Sequence, residues 1–253
     1  MKRFVRKALD GELGRGPMML KQQVFIEGDD RIPLPPADLA GRVGSQLGNE
    51  FLQLGKSAKR CIERALGDDF SCKGKRILDF GCGAGRLMRH YFEEAQECEF
   101  WGCDIHRPSI EWLERHLIPP FRVFLNREDP PLPFTQDYFD LVIVLSVFTH
   151  LTDSWEAWLA EIRRILKPGA IALLTFHHKL AYEHLYSRPF DEGQMGMQVF
   201  HEDQVWEKGG PFVFHSNWWV RENWGRIMPV ERIVPGGLVN WQSIAILRKQ
   251  GGA

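Results

Sequence analysis

Three alternate glycines behind an aspartate, Asp79-x-Gly81-x-Gly83-x-Gly85, are the residues of this chain whose types and spacing most directly imply chemistry. A short apolar run, Ile77, Leu78 and Phe80, leads into them, and Leu87, Met88 and Tyr91 follow at helical spacing, which predicts strand, tight turn and helix. Such a turn is a cradle for a small ligand. Glycine turns the chain at little steric cost, and the missing Cβ lets a ligand lie against bare backbone. The amides that open the following helix favour a carboxylate or another anion. A dinucleotide fingerprint, Gly-x-Gly-x-x-Gly or Ala, is not met, because its last position would be Arg86, too large for the close helix–strand contact.

A second acid is placed to work with the first. The segment 99–105 reads as a buried strand ending in Asp104, about twenty residues beyond the glycines, where a carboxylate accepts hydrogen bonds from both hydroxyls of a ribose. The competing reading makes Asp104 a surface cap of the helix that starts near Pro108. The longest apolar run, 141–147, exits through Ser146-Val-Phe-Thr-His150. His150 is the first candidate for a general base, since histidine titrates near physiological pH. Its alternative role is to hydrogen-bond backbone or position a ligand. His177, His178 and His215 fall at the same predicted edge as weaker candidates, and no carboxylate-assisted ligand spacing points to a metal.

The elements that must position these residues alternate. A helical period over 37–66 places Phe51, Leu54, Ala58, Cys61, Ile62 and Ala65 on one face and ends at Gly67. A helix is predicted over 108–117, a strand over 121–125, a proline-rich loop from Pro130, and a central strand over 141–147, apolar on both faces. Asp153 and Glu156 make a near capping box for a helix through Trp155, Leu159, Ile162 and Leu166 to Lys167-Pro168-Gly169, and a fifth strand covers 170–176. A short helix pattern (Leu180, His184, Leu185) and a long glycine- and methionine-bearing stretch, 191–210, follow; that length predicts a lid or acceptor-site loop. Strands near 227–234 and 241–247 close the sheet. Short turns between alternating strands and helices predict a parallel sheet with right-handed crossovers.

Composition sets the bounds. The 253 residues, 44% of them hydrophobic, suffice for one sizeable core with an extension. Thirty-two Lys and Arg against 33 Asp and Glu leave no basic field of the kind nucleic-acid binders carry. The basic start, residues 1–7, has no apolar stretch behind it, and no segment approaches the roughly 20 apolar residues of a membrane span, so a cytoplasmic protein is expected. Cys61, Cys72, Cys82, Cys98 and Cys103 fit neither a disulfide framework nor a zinc spacing and read as reduced thiols.

These motifs together resemble the class I S-adenosylmethionine-dependent methyltransferases, in particular the small bacterial members with methyltransferase domains of the type 11 and type 25 groups. All four positions of the first motif are filled, Leu132-Pro133-Phe134 and Phe139-Asp140-Leu141-Val142 match a second stretch, and Leu166-Lys167-Pro168-Gly169-Ala170 departs from a third only at its last residue. The resemblance implies a doubly wound, mostly parallel, seven-stranded α/β sheet with an N-terminal helical extension. Residues 1–36 would form an extended arm and 37–250 the domain: helices over 37–70, a cofactor-binding core over 71–177, a lid or acceptor segment over 178–225, and closing strands over 226–250. It also implies S-adenosylmethionine as cofactor. Asp79 would face the ammonium side, and Gly81, Gly83 and Gly85, with Phe80 and Cys82 in the same loop, the methionine and ribose parts. Asp104 would hold the ribose, Ile105 the adenine face, and Asn126, with Asp129 as competitor, the adenine edge. Ser146 and His150 would line the methionine end. The implied function is methyl transfer to an oxygen or nitrogen of a small-molecule or saccharide acceptor, with no nucleic acid or membrane as partner. A protein or RNA methyltransferase and a non-catalytic cofactor-binding regulatory module stand as alternatives. Trp206, Trp218, Trp219, Trp224 and Trp241 are packing residues first and stacking surfaces for an acceptor second.

Overall fold

The computed structural model describes residues 32–43, 48–68, 70–205 and 210–251. The arm expected over 1–36 lies outside them as far as residue 31, and so does Trp206.

Strand β1 (Arg76–Phe80) is the axis of the sheet. It pairs in parallel with β2 (Glu99–Asp104) on one side and with β4 (Phe139–Val144) on the other, while β3 (Arg122–Leu125) extends β2 outward. Beyond β4 lies β5 (Leu166–His177), also parallel. The far edge is made by β9 (Gln242–Arg248), antiparallel to β5, and by β8 (Val230–Leu238), antiparallel to β9. Alternate residues of the central strands serve opposite faces. Ile77, Leu141 and Ile143 pack with Phe51, Ala58 and Ile62 of helix α2 (Gly48–Leu66) and Ile110 and Leu113 of α3 (Arg107–His116). Leu78, Phe80, Val142 and Val144 face Trp158, Leu159 and Ile162 of α4 (Trp155–Ile165). Helices on both faces explain why β4 is apolar on both sides.

Among the described residues the sheet has nine strands where seven were expected. The additional pair, β6 (Met197–Phe200) and β7 (Phe212–His215), is an antiparallel hairpin inside the predicted lid segment, joined to β5 by the parallel pairing of His177 with Phe214. The physical reason is a ladder edge left open. Val144 pairs with Leu174, so β5 runs three residues past the end of β4. Because β9 already occupies the other edge as far as His177, β7 fills the β4 side, where the Val213 N–H donates to the Thr149 carbonyl at 2.8 Å.

Three further expectations are corrected. The helical period over 37–66 is divided into α1 (Ala37–Arg42) and α2. No α-helix follows β1; the glycine turn leads into short 3-10 turns, Met88–Tyr91 and Glu94–Gln96. Here α2 crosses so closely that a Cβ on Gly55 would stand 2.1 Å from the Arg86 carbonyl, and Lys59 Nζ takes the His90 carbonyl at 2.8 Å, so tertiary contacts replace helical ones. The Lys-Pro-Gly turn belongs to β5 as an irregularity between the pairs Phe139–Leu166 and Leu141–Ile171. After α5 (Lys179–Tyr186) and the hairpin, residues 217–227 form a composite helix whose middle, Val220–Trp224, is wound as a π-helix.

Candidate functional site

The C-terminal ends of β1, β2, β4 and β5 bring the sequence candidates to one edge. Gly81, Gly83 and Gly85 have φ of +79°, +54° and +75°, the left-handed region that glycine enters without strain. The space their Cβ atoms would take is filled by protein: a Cβ on Gly83 would stand 2.6 Å from Val43 Cγ1, so the residue after α1 lies over the turn. The turn's amides are largely committed. Those of Gly81 and Cys82 donate to the Cys103 carbonyl (2.8 and 2.9 Å), that of Gly83 to Asp104 Oδ2 (2.8 Å), and that of Gly85 to the Cys82 carbonyl (3.0 Å). The expected anion seat at a helix N-terminus is therefore absent from this turn. Phe80 points into the core against Trp158, and Cys82 is buried with its thiol pushed well above the ordinary range by desolvation.

Asp104 ends β2 beside the turn. Its other oxygen, Oδ1, accepts the His106 N–H at 2.8 Å, and the residue is half-buried. Ile105 next to it is exposed, as a side chain covering one face of a base must be. Asn126 sits across from Asp104, its N–H donating to the Asp104 carbonyl at 3.2 Å, but its side-chain amide is turned onto the Arg127 carbonyl at 2.7 Å. Asp129 is exposed further along that loop.

Asp79 is 1% exposed, and neither carboxylate oxygen has a hydrogen-bond partner among the described residues. Burial pushes its carboxyl up to about 7, against the opposing pull of the Arg86 guanidinium and with a smaller upward push from Asp104. Arg86 is drawn down to about 10 by the same desolvation; one terminal nitrogen donates to the Val43 carbonyl, and its Nε has no partner among the described residues.

At the end of β4 stands Ser146, a non-glycine residue at φ +61°. Its N–H donates to Thr175 Oγ1 at 2.8 Å, and its hydroxyl meets the Gln242 amide, 3.0 Å from Nε2 and 3.2 Å from Oε1. Gln242 Nε2 also lies 3.4 Å from His177 Nε2. His150 Nδ1 is 2.7 Å from the Pro211 carbonyl, which can only accept, so Nδ1 carries the proton and Nε2 is the basic nitrogen. Burial lowers the His150 pKa and leaves the ring neutral at physiological pH. His177 and His215 are more deeply buried and also neutral, the latter drawn down to about 3, while His178 is engaged with Glu192 at 2.6 Å. Trp224 is core, Trp219 packs on Trp155, Trp241 contacts His177, and Trp218 is exposed.

Residues 78–172 match the family model described as "Methyltransferase domain". That stretch of the chain is thus similar to methyltransferase domains. The chain is 26% identical over 141 residues to phthiotriol/phenolphthiotriol dimycocerosates methyltransferase 1 of Mycobacterium ulcerans, covering 56% of this chain and 49% of that protein. It is 28% identical over 103 residues to the fatty-acid O-methyltransferase of Mycolicibacterium smegmatis, covering 41% and 37%. Its matches thus span about half or less of the length of these curated relatives. The PH0226 protein of Pyrococcus horikoshii shares the fold, with a TM-score of 0.59 at 17% identity over 82% of this chain and 93% of that one.

The methyltransferase cofactor, S-adenosylmethionine, suits the residues present. A buried carboxylate with two unpartnered oxygens asks for a cation, and the amino-acid end of this nucleoside carries an ammonium. Sequence reasoning missed three groups in this domain. Gln242 was legible only through the register that sets it opposite His177; the Pro211 carbonyl depends on the hairpin; Arg86 stood in the motif but was used only to reject a dinucleotide.

Proposed function

We propose that this chain transfers the methyl group of S-adenosylmethionine to an oxygen or nitrogen of a small-molecule or saccharide acceptor, in a reducing cytoplasm that suits five free cysteines. The observation that carries this reading is the partnerless, buried Asp79 carboxylate at the head of the glycine turn. Asp79 holds the ammonium end, Asp104 takes the ribose hydroxyls, Ile105 covers the base, and Ser146 borders the methionine end. Asn126 reaches the adenine edge once its amide leaves the Arg127 carbonyl. The cofactor, when bound, supplies an activated methyl on a sulfonium, displaced in line with a neutral leaving group. Alignment of the acceptor then supplies much of the rate.

His150 is the general base of this proposal. Its Pro211 partner fixes the tautomer that leaves Nε2 to take the proton of an acceptor hydroxyl or amine, and burial keeps the ring neutral for that purpose. The segment 178–225 forms the acceptor side, with β7 docked above the end of β4. The relative named a fatty-acid O-methyltransferase supports an oxygen acceptor and extends the candidates to lipids. Calorimetry with S-adenosylmethionine and S-adenosylhomocysteine, followed by product detection against a metabolite panel including sugars and fatty acids, tests the proposal. Binding without any methylated product would favour a regulatory module. No binding of either nucleoside at millimolar concentration would refute the whole reading.

A further inference from the structure

His150 and His177 are both neutral imidazoles, their ring centroids 6.5 Å apart, yet different nitrogens of the two are engaged by the protein. At His150 it is the N–H, which donates to the Pro211 carbonyl. At His177 it is the bare nitrogen. Gln242 Nε2, which can only donate, stands 3.4 Å from His177 Nε2, so that nitrogen accepts and the ring proton sits on Nδ1. The Gln242 amide is itself held by the Ser146 hydroxyl, 3.0 Å from Nε2 and 3.2 Å from Oε1, and Gln242 is the direct cross-strand partner of His177. His177 Nδ1 has no partner among the described residues, and the side chain is 4% exposed. A buried donor left unpaired carries a standing cost that a ligand oxygen would remove. The ring is stacked on Phe212, with centroids 5.8 Å and planes 12° apart, and borders Phe214 at 5.2 Å. Both phenylalanines belong to β7, which among the described residues joins β5 at the single pair His177–Phe214, so displacement of the hairpin uncovers the ring.

We propose that His177 is an acceptor-binding residue whose Nδ1–H, fixed by Gln242, donates to an uncharged oxygen on the carbon next to the one that bears the methylated oxygen. The proposal rests on the reading above and narrows its acceptor to a vicinal diol: His150 takes the proton of one hydroxyl while His177 holds the neighbouring oxygen and keeps its own proton throughout. Two rings at this separation can each bond one of two oxygens on adjacent carbons. A carboxylate is disfavoured in that place, because the ionisable groups acting on His177 are His150 and His215, and neither supplies a positive charge. Gln242 is the positioning residue of the pair.

The test is nitrogen NMR on protein with labelled histidine rings, saturated with S-adenosylhomocysteine and titrated with cis-1,2-cyclohexanediol, cyclohexanol and cyclohexanecarboxylate. Loss of signals in His177→Phe identifies the ring. In the parent, His177 Nδ1 should carry the proton and respond to the diol, which should bind about 3- to 10-fold more tightly than cyclohexanol, the worth of one neutral hydrogen bond, and more tightly than the carboxylate. In Gln242→Leu the Nδ1–H form should give way to a mixture of tautomers and the diol preference fall to about twofold or less, with cyclohexanol bound as in the parent. Equal binding of diol and cyclohexanol by the parent, tighter binding of the carboxylate, or a diol preference kept in Gln242→Leu overturns the proposal. So does an Nδ1 signal that no probe moves, which would mean that water alone meets the donor. If Gln242→Leu does not fold, the parent series decides alone. Binding of S-adenosylhomocysteine without a diol preference refutes this proposal and spares the cofactor reading, whereas no binding of S-adenosylhomocysteine refutes both.

Discussion

Asp79→Asn separates the electrostatic cost of the proposed cofactor seat from its packing. In the ligand-free protein the Asp79 carboxyl titrates near about 7 against an ordinary value of 3.8, chiefly through burial. Between those two values the folded protein holds a proton that the unfolded chain releases, so stability is fully present below the unfolded value and is lost as pH rises through the folded one. Each pH unit in that window is worth about 1.4 kcal/mol, so the parent loses about 3 kcal/mol between pH 5 and pH 8 from this group alone. Asparagine is close in shape and does not titrate. The stability of Asp79→Asn relative to the parent should therefore rise by about 3 kcal/mol across that range, measured by urea unfolding of both proteins without cofactor. The same variant should bind S-adenosylhomocysteine more weakly at pH 8, because an amide cannot neutralise the ammonium. Parallel stability profiles from pH 5 to 8 would refute the reasoning, since they would mean that Asp79 carries no unusual burden.

Asp104→Ala should weaken cofactor affinity by about 1–3 kcal/mol through lost ribose hydrogen bonds, and should lower thermal stability because the Gly83 N–H loses its acceptor. Unchanged affinity in a folded variant removes Asp104 from the site. His150→Ala should lower kcat by about 100-fold or more with little change in cofactor Kd, and the acid limb of the parent pH–rate profile, set below 6.5 by burial, should vanish with it. Equal losses in turnover and binding would make His150 a positioning residue. His215 is held neutral with a folded value of about 3 against 6.5 unfolded, so its share of stability is present above 6.5 and is lost as pH falls toward 3, at about 1.4 kcal/mol per pH unit. His215→Phe should flatten that acid loss in unfolding measurements, and an unchanged slope would contradict the assignment.

The parts legible in the sequence were those fixed by local pattern. Ile77, Leu78 and Phe80 running into alternate glycines specified strand and turn, and the unbroken run of β4 announced a strand covered on both faces. What escaped depended on partners distant in the chain. Phe212-Val-Phe-His looks like a strand, but its place beside β5 follows from the overhang of β5 past β4. Leu87, Met88 and Tyr91 have helical spacing, yet the close approach of α2 at Gly55 leaves only 3-10 turns there. Ser146 showed position but not its left-handed backbone, and nothing in Gln242 itself pointed to the hydroxyl it meets.

One physical condition, burial at the sheet's C-terminal edge, favours the uncharged form of titratable groups buried along it. Burial raises Asp79 toward neutrality and depresses Arg86, so both groups lose by being charged. Burial also depresses His150, His177 and His215, which keeps their imidazoles uncharged. On the proposed reading the cofactor is cationic, and neutral imidazoles suit it. Protonated histidines beside a sulfonium would repel it, whereas neutral ones add no opposing charge. The hairpin contributes to the same end, since β7 helps enclose the edge and the Pro211 carbonyl selects the His150 tautomer whose Nε2 is basic. Loss of the hairpin contact should therefore raise the His150 pKa by readmitting water and release its tautomer, changing the pH dependence of turnover without altering the charged seat at Asp79.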